Sequence, residues 1–130
     1  MILTAMTCLA LNIYFEARNQ DVDGQRLVAE VTMNRVASDK FPDTVCKVVW
    51  QRKAFSWTHD GKSDKPRNKE AWHRAQEIAK EVLLEGCAIC TKATYYHTTE
   101  SLPYWASEYT VVALWGDHIF YIDEKDKING

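Results

Sequence analysis

Helical spacing governs this chain as far as Gly86, and from Ala93 onward β-branched and aromatic residues take over. A chain with helices first and strands last is restricted to an α+β layout, mainly helical, with a small β-sheet or hairpin packed beside the helices. The clearest helix follows Asn68, a capping residue. It carries Ala71, Trp72, Ala75, Ile78, Ala79, Val82 and Leu83 on one stripe until Gly86 ends it. Residues 9–18 read as the first helix, with Thr4 or Thr7 as N-cap. Asp21 or Asp23 caps a second helix running to about Ser38, on which Leu27, Val31 and Asn34 share a face. Asn34 therefore turns inward, where its amide is expected to bond between helices. Pro42 or Asp43 starts a short third helix through Gln51. Strand candidates lie at 94–98, 109–114 and 119–122, separated by Pro103 and Gly116. The charged tail 124–130 is expected to fray.

Residues 1–130 are expected to form one domain, long enough to bury a core. A hydrophobic fraction of 46% and a charged fraction of 26% exclude a disordered chain. The net charge of -2 provides no general field for nucleic acid or anionic membrane, so any polyanion specificity must be local. The N-terminal apolar run is broken by Thr4, Thr7 and Asn12 and lacks a basic start, which argues against a signal peptide or a spanning helix. Stable membrane insertion is not expected, and a monomer is. Residues 52–67 lose periodicity and are rich in Lys, Ser, Asp and Gly, with Phe55 and Trp57 standing out. Such loops in compact domains often carry function.

Glu16 closes the apolar run Leu9, Leu11, Ile13 and Phe15. Desolvation there would raise its pKa and hold a proton near neutral pH, as a general acid requires. Four cysteines are present, Cys8, Cys46, Cys87 and Cys90. The last two have the spacing of redox and zinc motifs, but no second ligand pair stands at zinc spacing, and His97 and His118 are scattered. Reduced structural thiols are the expected state. A Cys87 to Cys90 disulfide, or one from Cys8 or Cys46, is the alternative. No cofactor and no metal are expected.

Several motifs occur in a fixed order: Glu16-Ala17-Arg18, Gly24-Gln25, Asn34-Arg35-Val36, Phe41-Pro42-Asp43-Thr44-Val45, Val48-Val49-Trp50-Gln51, Ala54-Phe55-Ser56, Ala93-Thr94-Tyr95-Tyr96-His97, Pro103-Tyr104-Trp105 and Gly116-Asp117-His118-Ile119-Phe120-Tyr121. This ordered set resembles the spore-cortex-lytic SleB/CwlJ type of cell wall hydrolase across nearly the whole chain. In one departure, Asn19-Gln20 stand where relatives usually have Gly-Glu, beside the acid.

The resemblance implies a lysozyme-like fold, peptidoglycan glycan strands as partner, and cleavage of the MurNAc to GlcNAc linkage with Glu16 as general acid/base, by lytic transglycosylation or hydrolysis. A hydrolase generally needs a second carboxylate about 5 to 9 Å away, whereas a transglycosylase uses the sugar's own C6 hydroxyl. No second carboxylate is evident in these motifs: Glu30 on the second helix and Asp60 on the polar loop read more simply as solvated or ion-paired, and Glu100 and Glu108 also favour solvent. A glycan groove needs flat rings and amide or hydroxyl groups, which Gln51, Phe55, Ser56, Trp57, Tyr95, Tyr96, Trp105 and His118 provide. Of these, Tyr96 and Ser56 favour the groove, while Phe120 favours the core. An unsignalled chain with an external substrate fits synthesis in the cytoplasm and action on the wall after release, as by a phage endolysin. Two rivals stand beside this reading. One is a non-catalytic wall-binding or virion structural module; the other is a metal-dependent nuclease or peptidase using His59, His97, His118 and Asp60.

Overall fold

The computed structural model describes residues 4–51 and 54–125. Residues 1–3, Arg52 and Lys53 of the polar loop, and residues 126–130, most of the tail expected to fray, lie outside the described part. The elements are α1 (Ala5–Ala17), α2 (Val22–Ala37), α3 (Val45–Val49), a short 3-10 turn (Ser56–His59), α4 (Lys69–Glu85), β1 (Tyr95–Thr98), a second 3-10 turn (Tyr104–Ser107), β2 (Thr110–Trp115) and β3 (His118–Ile122).

Polar side chains fix the helix starts. Thr4, Asp21, Thr44 and Asn68 each accept a backbone N–H from three residues on, which satisfies a donor the helix itself leaves open. The Thr4 cap starts α1 four residues earlier than the apolar run alone suggested. α3 is shorter than expected because Thr44, not Pro42 or Asp43, is its cap. Gly86 ends α4 at φ 82, a conformation natural to glycine.

α1 is buried on nearly every side and packs against α2, α3 and α4. Leu9 and Ile13 are fully buried at its centre, each worth roughly 2 kcal/mol of apolar burial. α4 has the one-sided pattern expected of a surface helix, with Ala75, Ile78, Ala79 and Val82 turned inward. A second cluster joins Ala17 of α1 and Leu27, Val28 and Val31 of α2 to Ala93 and Phe120 at the sheet. Phe120 is thus core, as expected.

The sheet is antiparallel in the order β1-β3-β2, with Tyr96 opposite Phe120 and Trp115 opposite His118. β2 and β3 form a hairpin through Gly116 and Asp117, and β2 is bulged between Val111 and Ala113. Among the described residues, no helix is long and apolar enough to cross a membrane.

Three expectations are corrected. Cys8–Cys46 and Cys87–Cys90 are disulfides, not reduced thiols; the Cα atoms lie 5.3 and 5.1 Å apart, within bridging range. Asn34 Nδ2 donates to Ala93 O at 2.8 Å, so its amide ties α2 to the approach to β1, not to another helix. Glu30 is 2% exposed, far from solvated. Its carboxylate accepts the backbone N–H groups of Ala88, Ile89 and Cys90 at 2.9, 3.0 and 2.8 Å and so holds the loop closed by the second disulfide.

Candidate active site

Glu16 is the penultimate residue of α1, where its carboxyl meets β1 and feels the charge of Arg35 on α2. Tyr96, on β1, donates its phenolic O–H to Glu16 Oε1 at 2.6 Å. Arg35, in the last turn of α2, is buried nearby, with Nε donating to Thr94 O at 2.8 Å. Its guanidinium lies 4.8, 5.1 and 5.4 Å from the ring centres of Phe41, Phe55 and Tyr95, so π-faces replace the water that burial removes.

Burial raises the Glu16 pKa from its ordinary 4.5; the Tyr96 hydrogen bond and then the Arg35 charge pull it part of the way back. Because Tyr96 donates to Oε1, the acid proton is left to Oε2. Burial and the adjoining carboxyl push the Tyr96 phenol well above its usual range, so it remains a donor.

A cleft of about 440 Å³ adjoins Glu16. One side is aromatic, formed by Tyr14, Phe15 and Trp57; the other is the polar loop from Asp60 to Arg67. Phe15 stacks on Trp57 with centroids 4.9 Å apart and planes inclined at 23°. Trp57 Nε1 donates to Asn12 Oδ1 at 2.8 Å, and Asn12 Nδ2 reaches Thr32 Oγ1 at 3.4 Å. At the other end of the loop, the Tyr14 hydroxyl accepts the Asn68 backbone N–H at 3.0 Å.

Of the residues singled out from sequence, Ser56 and Trp57 line this cleft, and Tyr96 touches Glu16 directly. Phe55 is 3% exposed and packs beneath Arg35. Gln51 lies half-buried beyond α3, away from the cleft lining. Tyr95 and Trp105 belong to a separate aromatic cluster with Tyr109, in which Tyr95 stacks on Tyr109 at 4.5 Å. His118 is buried edge-on to Tyr96 at 5.3 Å, and burial lowers its pKa. Asp60 does line the cleft, where Oδ1 accepts the Lys62 backbone N–H at 2.9 Å.

Sequence reasoning missed Tyr14, Arg18 and the cationic side chains of Lys62, Lys65 and Arg67. Arg18 stands in the Glu16-Ala17-Arg18 motif, and the signal for the three loop cations is that their loop carries charge with almost nothing apolar to bury. Both ring nitrogens of His97 are engaged, one with Thr98 O and one with the Tyr121 hydroxyl, each at 2.7 Å. No three His, Cys, Asp or Glu side chains gather as a metal site among the described residues.

The departure at Asn19-Gln20 has a visible consequence. Gln20 Nε2 donates to Asp117 Oδ2 at 3.0 Å and Oε1 accepts the Asp117 N–H at 3.2 Å, fastening the turn after the acid to the β2–β3 hairpin. Gly116 has φ 55, and a Cβ there would collide with Gln20 Oε1, so glycine serves both the turn and the contact.

Comparison with known proteins places these features in context. The family described as Cell Wall Hydrolase matches residues 19–121, a span that begins just after Glu16. A spore cortex-lytic enzyme of Oceanobacillus iheyensis is 31% identical over 116 residues, covering 86% of this chain and 39% of the relative. Its Bacillus subtilis counterpart is 30% identical over 96 residues, 72% of this chain and 29% of the relative. The chain thus spans well under half the length of these relatives. Among solved structures, the catalytic domain of the germination-specific lytic transglycosylase SleB from Bacillus anthracis is similar, with a TM-score of 0.78 and 26% identity. That alignment covers 94% of this chain and 97% of that one. The catalytic domain of Bacillus cereus SleB matches with a TM-score of 0.72 and 28% identity, over 91% and 89% of the two chains.

Proposed function

The chain belongs to the cell wall hydrolase family and has a lysozyme-like α+β fold, and from that premise we propose that it is a peptidoglycan-cleaving lytic transglycosylase with Glu16 as its acid and base. One observation carries the reading: a buried carboxyl, held towards its protonated form and oriented by Tyr96, faces a cleft with aromatic rings on one side. Glu16 gives its proton to the glycosidic oxygen between MurNAc and GlcNAc as that bond breaks and positive charge grows on the muramoyl C1. The resulting carboxylate is supported by the Tyr96 hydroxyl and the Arg35 charge. It then takes the proton of the muramoyl C6 hydroxyl as that oxygen bonds to C1. The product is a 1,6-anhydro-muramoyl end, and Glu16 is protonated again.

Two carboxylates that line the same cleft, Asp64 and Asp60, give a specific reason to consider hydrolysis instead, and Asp60 is the one singled out from sequence. Its engagement in the turn to Lys62 supports a structural role for it. Mass spectrometry of products from purified peptidoglycan separates the two: anhydro ends are expected, with activity retained in Asp60→Asn and in Asp64→Asn. Reducing ends, with either variant as inactive as Glu16→Gln, would establish a two-carboxylate hydrolase. Chelation by EDTA is expected to leave turnover unchanged. The proposal extends to action outside the cytoplasm, as in an endolysin-like role, because the two disulfides suit an oxidising compartment.

A further inference from the structure

Arg18, Lys62, Lys65 and Arg67 line the Glu16 cleft together with Asp60 and Asp64. This is a local excess of positive charge in a chain whose net charge is -2. The described ion pairs lie elsewhere, at Arg26 with Asp23 and Glu81 and at Lys40 with Asp123, so none of the four cleft cations has a carboxylate partner among the described residues. Arg18 Nη1 reaches Tyr14 O at 3.4 Å, and its guanidinium lies 4.9 Å from the Tyr14 ring centre. The ring fixes the guanidinium while leaving its other N–H donors to the cleft. Asp60 spends one oxygen on the Lys62 backbone N–H, so its charge is partly met by the turn it caps.

A neutral glycan gives no reason to collect four unpaired cations beside the reacting carboxyl. Muramic acid differs from its neighbouring sugar by a lactyl ether, which ends either in a free carboxylate or in a peptide that itself bears carboxylates. An anionic group therefore lies within one sugar of the bond to be cut. Resting on the glycosidase reading above, we propose that this basic wall is an anion subsite that binds a carboxylate carried by the muramoyl residue and thereby selects muramoyl strands with free carboxylates over neutral ones. Arginine meets such a group with paired N–H donors, and the lysines meet it as mobile point charges.

The test compares wild type with the triple variant Lys62→Gln/Lys65→Gln/Arg67→Gln, whose changes fall on exposed loop positions and leave Glu16 and Arg18 in place. Three substrates are used: peptide-bearing peptidoglycan strands, strands stripped by an amidase so that only lactyl carboxylates remain, and the same stripped strands with those carboxyls converted to methylamides. The variant is expected to lose roughly tenfold in kcat/KM, mostly through KM, on a carboxylate-bearing substrate and nothing on the methylamide. Loss on peptide-bearing strands alone assigns the subsite to stem-peptide carboxylates, loss on the stripped strands alone assigns it to the lactyl carboxylate that the peptide otherwise occupies, and loss on both shows that it accepts either. Added salt should erode wild-type KM on the charged substrate only. Equal loss on all three substrates, or no loss on any, overturns the inference while leaving the glycosidase reading standing. If wild type cleaves none of the three, the glycosidase reading itself falls and this one with it.

Discussion

Burial disfavours the charged form of Glu16 in the folded chain, so its activity and its effect on stability pull in opposite directions. Glu16→Gln is expected to lower turnover by at least about two orders of magnitude while preserving the fold, because the amide keeps the shape but cannot donate a proton of suitable acidity. The folded pKa lies above the ordinary 4.5, so this residue's favourable contribution is present below that value and is lost as pH rises through the folded pKa. Glu16→Gln should therefore be more stable than wild type at pH 8, with the gap closing towards pH 4; urea denaturation at both values checks the sign. Tyr96→Phe removes the hydrogen bond that lowers the Glu16 pKa. The alkaline limb of its kcat/KM profile is expected to move to higher pH, and an unmoved limb would show that Tyr96 does not set the acidity of Glu16. That Glu16 is desolvated was legible from the apolar run before it. Its partners were not, since Tyr96 lies 80 residues away and only the packing of β1 brings it near.

Individual elements were legible where one side chain fixes an end. Asp21, Asn68 and Gly86 mark boundaries by chemistry acting within a few residues. Glu30 shows where such local reasoning stops. A carboxylate in the middle of α2 reads as solvated, but its three N–H donors come from a loop 58 to 60 residues further on. Glu30→Gln replaces one acceptor oxygen with an NH2 group facing a backbone donor, and a loss of about 1 to 3 kcal/mol is expected. Urea denaturation at neutral pH measures it, with kcat/KM at low temperature unchanged. The polar loop was legible as a functional candidate, but that its cations line the Glu16 cleft was not, for a related reason: charged residues without apolar periodicity do not announce which face of the molecule they will line.

At the scale of the whole molecule, the succession from helices to strands already fixed the α+β class, but not the strand order β1-β3-β2 or the state of the thiols. Cysteine pairing depends on three-dimensional proximity, and Cys8 and Cys46 stand 38 residues apart, on α1 and α3. Closing a loop of that length restricts the unfolded chain by about 4 kcal/mol in the entropic account. Cys8→Ser/Cys46→Ser should therefore melt well below wild type, while Cys87→Ser/Cys90→Ser, which opens only a short loop, should lower the Tm much less. A thermal scan of both pairs of variants, with and without reductant, tests that ranking. Asn12 and Tyr14 hold the two ends of the cleft loop, at Trp57 and Asn68, and Glu16 stands two residues further along the same helix. Acid and cleft wall are thus mounted on one beam, so a tilt or slide of α1 would carry both together.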